Sequence, residues 1–163
     1  MAIRKKADRA RRPAVVLDID HSVFFKILSL VNFTARPFAA RYEKKYRIKL
    51  TEWRVLFVLA QREALSASDL GDLLGLDKMA VSRAVRGLEK TRRLRRDADE
   101  NDGRRRILRL TNAGRELYSI IAPSGRARED MLLSCLDGRQ KNDLDALLDT
   151  LLKAARALPD SAG

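Results

Sequence analysis

The chain has 163 residues, and its 34 Lys and Arg outnumber its 22 Asp and Glu, giving a formal net charge of +12. This excess favours a nucleic acid over a membrane surface as partner, since we expect no apolar run long enough to span a bilayer. A single Cys and a single His exclude an internal disulfide and a zinc site of Cys and His ligands. No carboxylate pair stands in a recognisable catalytic setting, so we expect no enzyme, no metal and no cofactor.

The N-terminal stretch is strongly basic. Residues 1–13 hold six Lys or Arg against one Asp, which predicts a disordered arm over residues 1–14 that either contacts phosphates or only keeps the protein soluble. No apolar segment follows the arm directly, so we expect no signal peptide and a cytoplasmic protein.

Apolar residues recur at three- and four-residue steps after the arm and predict a long first helix. Asp20 is its expected N-cap, and Pro37 should kink or interrupt it. Its aromatic-rich turns suit packing against a second chain as well as packing within one chain. His21, near the start of this helix, is either a surface residue or a ligand contact.

Three cap signals divide the next stretch into helices. Thr51 is the expected N-cap of a second helix, and Ser66 with Asp69 forms a capping-box pattern at the start of a third. Gly75 should end the third helix. The short turn from there to Asp77, the expected N-cap of a fourth helix, makes the third and fourth helices a helix-turn-helix.

The fourth helix is amphipathic, with Val81, Val85 and Leu88 on the stripe that should face a core. A helix of this width fits the major groove of DNA, where Arg and Lys reach guanine edges or phosphates. The alternative is an ordinary helix with a solvated charged face. The outward face carries Lys78, Met79, Ser82, Arg83, Arg86 and Lys90.

Two short strands are predicted next, over residues 94–97 and 106–110, with a polar loop between them. The loop contains an Asp-Gly turn signal and ends on consecutive arginines. An Arg at a hairpin tip suits the narrow minor groove, and Asp102 could brace it. A disordered charged loop is the alternative, but the position directly after a groove-compatible helix favours a β-wing.

The C-terminal part predicts two more helices. Thr111 is the expected cap of the fifth, which Pro123 and Gly125 should bend or break. Asp137 begins a second capping-box pattern ahead of the sixth helix, which has a broad leucine face. That face either packs within the monomer or forms a dimer interface. We favour dimerisation, because the helix-turn-helix and wing already have a core of their own.

The motifs in residues 53–56, 70–76, 80–83, 88–90 and 99–115 together resemble those of the MarR family of winged helix-turn-helix transcription regulators. The resemblance extends over nearly all of residues 20–158. It implies a mainly α fold: a winged helix-turn-helix lobe with a two-stranded β-wing, and a dimerisation region built from the N- and C-terminal helices. The expected organisation is a single domain over residues 15–158, with the lobe at 51–111, dimerisation helices at 20–48 and 112–158, and a tail at 159–163.

The resemblance also implies a homodimer that binds a pseudo-palindromic site in double-stranded DNA, in the cytoplasm and associated with the nucleoid. Ser82, Arg83 and Arg86 would read the major groove, while Arg104, braced by Asp102, would enter the minor groove. The full set of expected DNA contacts is Ser66, Lys78, Met79, Ser82, Arg83, Arg86, Lys90, Asp102, Arg104 and Arg105.

Such regulators are typically repressors released by a small aromatic acid or phenol. Trp53, Arg54 and His21 could offer that effector a ring surface, a carboxylate partner and a polar contact, although each has an ordinary structural interpretation too. The alternative function is an architectural protein that binds DNA without regard to sequence. It predicts little discrimination among duplexes, whereas a regulator predicts a large specificity ratio at fixed salt.

Three positions depart from the family pattern. Arg92 stands where the family usually has Gly after the recognition helix, so that helix either ends without a glycine cap or runs on further. Gly103 replaces an Arg that many members carry in the wing, so one minor-groove contact is either absent or shifted to Arg105. Cys135 lies in the expected dimerisation helices, away from the first helix where peroxide-sensing relatives have their reactive Cys, so we expect no thiol switch.

Overall fold

The computed structural model describes residues 18–99, 102 and 105–158. The chain divides into two compact units, Met1–Leu50 and Thr51–Gly163, and each is described by itself. The expected basic arm over residues 1–14 and the tail over residues 159–163 lie outside the described residues, and the expected division of residues 15–158 stays a prediction.

The first unit is built on helix α1, Val23–Phe38. Ser22, rather than the expected Asp20, caps it, because the Ser22 hydroxyl accepts a hydrogen bond from the Phe25 amide at 3.2 Å. The Asp20 amide instead donates to the Asp18 carboxylate at 3.0 Å in a preceding turn. The cap therefore lies two residues later than the sequence suggested.

Pro37 interrupts α1 as expected. The α-helical segment ends at Phe38, one residue after the proline, and the chain continues as a π-helical turn, Ala39–Glu43, into the short helix α2, Lys44–Tyr46. We attribute the change of hydrogen-bond pattern to Pro37, which lacks an amide proton and whose ring disturbs the preceding turn.

The helical stretch Val23–Tyr46 is, by length and composition alone, long and apolar enough to cross a membrane. The expectation that no apolar run is long enough to span a bilayer was therefore wrong for this stretch. The large apolar residues in its N-terminal half are uncovered in the single chain: Val23, Phe24, Phe25, Ile27, Leu28, Leu30, Val31 and Phe33 are all exposed.

The second unit holds three helices ahead of its sheet: α3, Leu50–Gln61; α4, Ala67–Leu74; and α5, Lys78–Lys90. Helix α3 begins at Leu50, so Thr51 lies inside its first turn instead of capping it. The capping box of Ser66 and Asp69 on α4 is confirmed, and so are the Asp77 cap of α5 and the left-handed Gly75 after α4, with φ of 61°.

Helix α5 ends in a left-handed residue that is not glycine. Arg92 has φ of 56°, and its amide donates to the Glu89 carbonyl at 2.8 Å while the Arg93 amide donates to the Leu88 carbonyl at 2.8 Å. These two bonds form a Schellman motif, which usually places Gly at this position. The question that the sequence left open is thus answered: the helix stops, with an arginine in the strained position.

The sheet consists, as expected, of two antiparallel strands: β1, Leu94–Ala98, and β2, Arg106–Leu110. Leu94 pairs with Leu110, and Ala98 pairs with Arg106. The Leu65 carbonyl, in the connection between α3 and α4, accepts a hydrogen bond from the Leu108 amide at 2.8 Å. This bridge joins the wing base to the helix-turn-helix.

Helix α6, Asn112–Leu133, runs without a break through Pro123 and Gly125, so the expected break was wrong. Ser119, whose carbonyl loses its helical donor to the proline, is exposed, as is Pro123; water can therefore satisfy that carbonyl. The Thr111 cap is confirmed. Helix α7, Gly138–Arg156, begins with the expected capping box at Asp137.

The core of the second unit lies between α3, α4, α5, the sheet and the first half of α6. It includes the predicted stripe of α5 together with Leu56, Leu70, Leu108 and Ile121, all fully buried. Helix α7 contrasts with this core, because every one of its residues is exposed in the single chain. Its uncovered leucines are Leu144, Leu147, Leu148, Leu151 and Leu152.

Candidate DNA-binding surface

The outward face of α5 carries positive charge that the rest of the described chain leaves unneutralised. Lys78, Arg83, Arg86 and Lys90 are exposed, and none of them forms an ion pair with another described residue. Met79 on the same face is 58% exposed, and Ser82 is half-buried among the cations. The opposite, buried stripe fixes the rotation of the helix, so this face points away from the core.

Three of the four arginines of the sheet, by contrast, are paired, while Arg106 is exposed and has no ion pair with another described residue. Arg96 donates two hydrogen bonds to the Glu89 carboxylate, from Nε at 2.8 Å and from Nη2 at 3.1 Å. Asp97 lies 3.2 Å from Arg95 and 3.4 Å from Arg109. Because these three charges are neutralised within the protein, the unpaired cations of α5 attract a polyanion more strongly than the three arginines do.

The tip of the wing is only partly described. The Asp99 amide donates to the Arg105 carbonyl at 3.0 Å, and the Arg105 amide donates to the Asp102 carbonyl at 2.8 Å. These bonds close the hairpin. Arg104 and Gly103 lie outside the described residues, so the brace between Asp102 and Arg104 stays a prediction.

The side chain of Arg105 turns back onto the protein. Its Nη2 donates to Asp69 Oδ2 at 2.5 Å, and its Nη1 lies 3.9 Å from Asp99 Oδ2. Asp69 is the capping-box residue of α4. The Ser66 amide, its largest influence, holds the pKa of Asp69 below the usual value, helped by the Ser66 hydroxyl and by Arg105. Ser66 is itself half-buried, with its oxygen engaged in the cap.

Comparison with known proteins identifies the family to which this chain belongs. The MarR family model matches residues 48–105. A MarR/EmrR family transcriptional regulator from Acinetobacter sp. ADP1 is similar over 87% of this chain and 100% of its own, with 32% identity and a TM-score of 0.80. The chain belongs to the MarR family. It is a winged-helix DNA-binding regulator of transcription, and members of the family are regulators, not enzymes.

Two further solved structures share the fold of this MarR-family chain. The S. aureus MepR–DNA complex is 19% identical, covering 85% of this chain and 99% of its own, with a TM-score of 0.75. The PcaV transcriptional regulator from Streptomyces coelicolor, in complex with its natural ligand, is 20% identical, covering 86% and 99%, with a TM-score of 0.72. Comparison with curated protein sequences gives no match.

The recognition helix of this MarR-family regulator approaches α3 closely at a glycine that the sequence analysis missed. A Cβ at Gly87 would lie within 3.0 Å of the Glu52 carboxylate, a distance that real Cβ atoms essentially never show. Glu52 is buried. Burial lowers the pKa of nearby Arg93, and the charge of Glu52 opposes that effect. The available signal was a glycine inside an otherwise well-patterned helix.

The expected effector residues have other contacts in this structure. Trp53 stacks on Tyr118, with ring centroids 5.9 Å apart and planes at 17°, and also contacts Phe57 at 6.1 Å. Arg54 is half-buried. In the first unit, His21 Nδ1 lies 2.7 Å from Asp18, and its side chain is 85% exposed.

A separate cavity of about 400 Å³ is lined by residues of α3, both strands and α6, and neither Trp53 nor Arg54 is among them. Its charged groups pair with one another: Arg109 lies 3.8 Å from Glu63 and 3.4 Å from Asp97, and Arg115 lies 3.8 Å from Glu63. The cavity is therefore a polar cleft whose charges are largely compensated from within.

Proposed function

We propose that this chain is a homodimeric, sequence-specific repressor that binds a pseudo-palindromic DNA site and leaves it when a small aromatic acid or phenol binds. The observation that carries the DNA-binding part is the contrast between α5 and the sheet. Four cations on the outward face of α5 have no ion-pair partner among the described residues, whereas three of the four arginines of β1 and β2, at positions 95, 96 and 109, have one.

The proposed contacts divide by role. Arg83 and Arg86 lie about one turn apart on α5 and address base edges in the major groove, with Ser82 and Met79 beside them. Lys78 and Lys90, at the two ends of the helix, contact phosphates. Arg104, with Asp102 as its brace, is the minor-groove residue.

Dimerisation is supported by the uncovered helices. The leucine face of α7 and the apolar face of α1 are exposed in the single chain, and a soluble monomer rarely exposes a continuous apolar surface of that extent. A second copy would cover both faces. It would also hold two recognition helices about 34 Å apart, so that each reads one half-site. MepR, which shares the fold, has been solved as a DNA complex.

The effector part rests on the aromatic cluster and on the fold. PcaV has been solved with its natural ligand, and Phe57, beside Trp53 and Tyr118, is 47% exposed. We keep Trp53, Arg54 and His21 as the candidate contacts. A ligand acts here only through its different affinities for two spacings of the DNA-binding lobes. As the only tryptophan in the chain, Trp53 makes binding of benzoate, salicylate or phenol measurable by its fluorescence.

Selection of binding sites from a pool of random duplexes tests the proposal. The unaltered protein should enrich an inverted repeat, and salicylate or a related acid should release the protein from that DNA. Arg86→Ala should weaken binding by about 1–3 kcal/mol and relax the preference at two symmetric positions. Arg128→Ala, which removes an exposed arginine of α6, is the matched control and should leave the preference unchanged.

Each failure has its own meaning in that experiment. If no sequence is enriched, the protein is an architectural DNA-binding protein and not a regulator of chosen sites. If Arg86→Ala weakens all duplexes alike, α5 is only a phosphate clamp. Enrichment of a repeat that no aromatic acid or phenol releases would remove the effector from the proposal and leave the rest standing.

A further inference from the structure

The wing is attached to the start of α4 at two points. One is the backbone bridge in which the Leu108 amide donates to the Leu65 carbonyl at 2.8 Å. The other is the side-chain bond from Arg105 Nη2 to Asp69 Oδ2 at 2.5 Å, between residues 36 positions apart in the chain. The two attachments lie three residues apart on the wing side, so together they restrict both the position and the tilt of the hairpin against the helix-turn-helix.

Asp69 serves the cap and the wing through the same atom. Its Oδ2 accepts from the Ser66 amide at 2.7 Å as well as from Arg105, while its own amide donates to the Ser66 hydroxyl at 3.2 Å. The cap fixes the carboxylate in place, so Arg105 meets an acceptor that is already oriented. The pKa of Asp69 lies below its usual value, and the carboxylate therefore stays ionised at neutral pH.

Arg105 also closes the hairpin with its backbone. Its carbonyl accepts from the Asp99 amide at 3.0 Å, and its amide donates to the Asp102 carbonyl at 2.8 Å. One residue thus holds the loop of the wing through its main chain and α4 through its side chain. Because Nη2 binds Asp69 and Nη1 lies near Asp99, the charge of this guanidinium is already partly neutralised within the protein.

We propose that Arg105 is a positioning residue: by binding Asp69 it sets the angle between the wing and the helix-turn-helix, and it does not contact DNA itself. Arg104, one position earlier, is then the wing residue that meets the minor groove. This inference rests on the DNA-binding function proposed above and assigns to one of its candidate residues a different role.

Asp69→Asn separates the two roles, because they predict changes of opposite sign. Asparagine keeps an oxygen for the Ser66 amide but loses the charge that holds Arg105. If Arg105 binds DNA, removing this carboxylate frees a cation and deletes a negative charge near the phosphates, so affinity rises. If Arg105 positions the wing, affinity falls by roughly 2- to 30-fold, the range for residues that couple two parts of a protein without touching the ligand.

The binding assay uses the duplex selected from the random pool by the unaltered protein, over a series of salt concentrations. Arg105→Ala and Asp69→Asn should weaken binding by similar factors, and the double variant should be no weaker than either. The slope of log K against log salt should stay unchanged, whereas loss of a phosphate contact would reduce it by about 0.9. Asp69→Glu, which preserves both the charge and the capping box, should restore most of the affinity.

Hydrogen exchange without DNA gives a second, independent measurement. Asp69→Asn and Arg105→Ala should both speed exchange at the amides of Asp99 and Arg105, while the amides of α5 keep their protection. Asp72→Asn, which neutralises an exposed acid on the same helix, is the control and should change neither exchange nor affinity.

Three results would overturn the positioning role: tighter binding by Asp69→Asn, a smaller salt slope for Arg105→Ala, or unchanged exchange in the wing of both variants. The exchange measurement stands even if no duplex is selected. Failure of the DNA-binding proposal is therefore distinct from failure of this one.

Discussion

Gly114, in the first turn of α6, lies where the helix meets the base of the wing. A Cβ built there would fall well inside 3.0 Å of the Arg93 carbonyl oxygen, 3.1 Å from the Arg93 carbonyl carbon and 3.4 Å from Leu110 Cβ. The Arg93 carbonyl cannot move alone, because it also accepts a hydrogen bond from the Thr111 amide at 3.1 Å. Gly114→Ala should therefore push the start of α6 away from the segment that leads into β1.

The magnitude follows from two opposing effects. Inserting a methyl group into a packed contact costs about 1–3 kcal/mol, and here the neighbour is backbone, which cannot change rotamer to make room. Alanine recovers up to about 1 kcal/mol over glycine through helix propensity. With the cost at the upper end of its range, we expect a net destabilisation of about 2 kcal/mol, equivalent to a fall in Tm of roughly 4–8 °C for a chain of this size.

The same helix offers a matched control at Gly125, where a Cβ would meet nothing within 4 Å. Gly125→Ala should raise stability by about 0.5–1 kcal/mol through propensity alone. Thermal unfolding of both variants at one protein concentration measures the difference. If Gly114→Ala unfolds at or above the temperature of Gly125→Ala, the close approach to Arg93 is not a constraint and the packing argument fails.

Three other expected outcomes concern the cap of α5, the dimer and pH. Arg92→Gly should raise the unfolding free energy by about 0.5–1 kcal/mol by relieving a left-handed arginine, and a lower Tm would mean that the arginine side chain itself stabilises the fold. Leu148→Asp with Leu151→Asp should give a monomer or an insoluble chain, since burying unpaired carboxylates is costly; a stable dimer in sedimentation would refute the interface. Because the folded pKa of Asp69 is depressed, its stabilisation is present above the unfolded pKa of about 3.9 and is lost as pH falls through the folded value. The Tm difference between the unaltered protein and Asp69→Asn should therefore shrink on acidification, and a constant difference would contradict the assignment.

Local features of this fold could be predicted from the sequence. The caps at Ser66, Asp77, Thr111 and Asp137 are confirmed, because a cap is formed by residues within three positions of one another. The antiparallel pairing of the two wing strands is also confirmed, since a turn signal between two short strand-like segments indicates a hairpin.

Features that depend on several competing local signals were harder to predict. Near the start of α1, Asp18, Asp20 and Ser22 can all cap a helix, and the carboxylate of Asp18 is engaged by the Asp20 amide and by His21, which leaves Ser22 for Phe25. The proline in α6 was expected to bend or break the helix, yet the helix does not break, because Leu117 and Ile121 anchor it in the core.

The binding surface shows a deeper reason why sequence is insufficient. A net charge of +12 indicates a polyanionic partner but not which cations face it, because each Arg is available only if no carboxylate reaches it in the folded chain. Arg105 and Arg86 are equivalent in the sequence, because both are basic and both lie in segments expected to contact DNA. Folding brings Asp69 to Arg105 across 36 positions and brings no described acid to Arg86. Those two outcomes depend on how α4 packs beside the wing, so the roles of the two arginines differ only at the level of tertiary structure. The slope of log K for DNA binding against log salt, measured for an alanine variant of each arginine, should distinguish the two roles in solution.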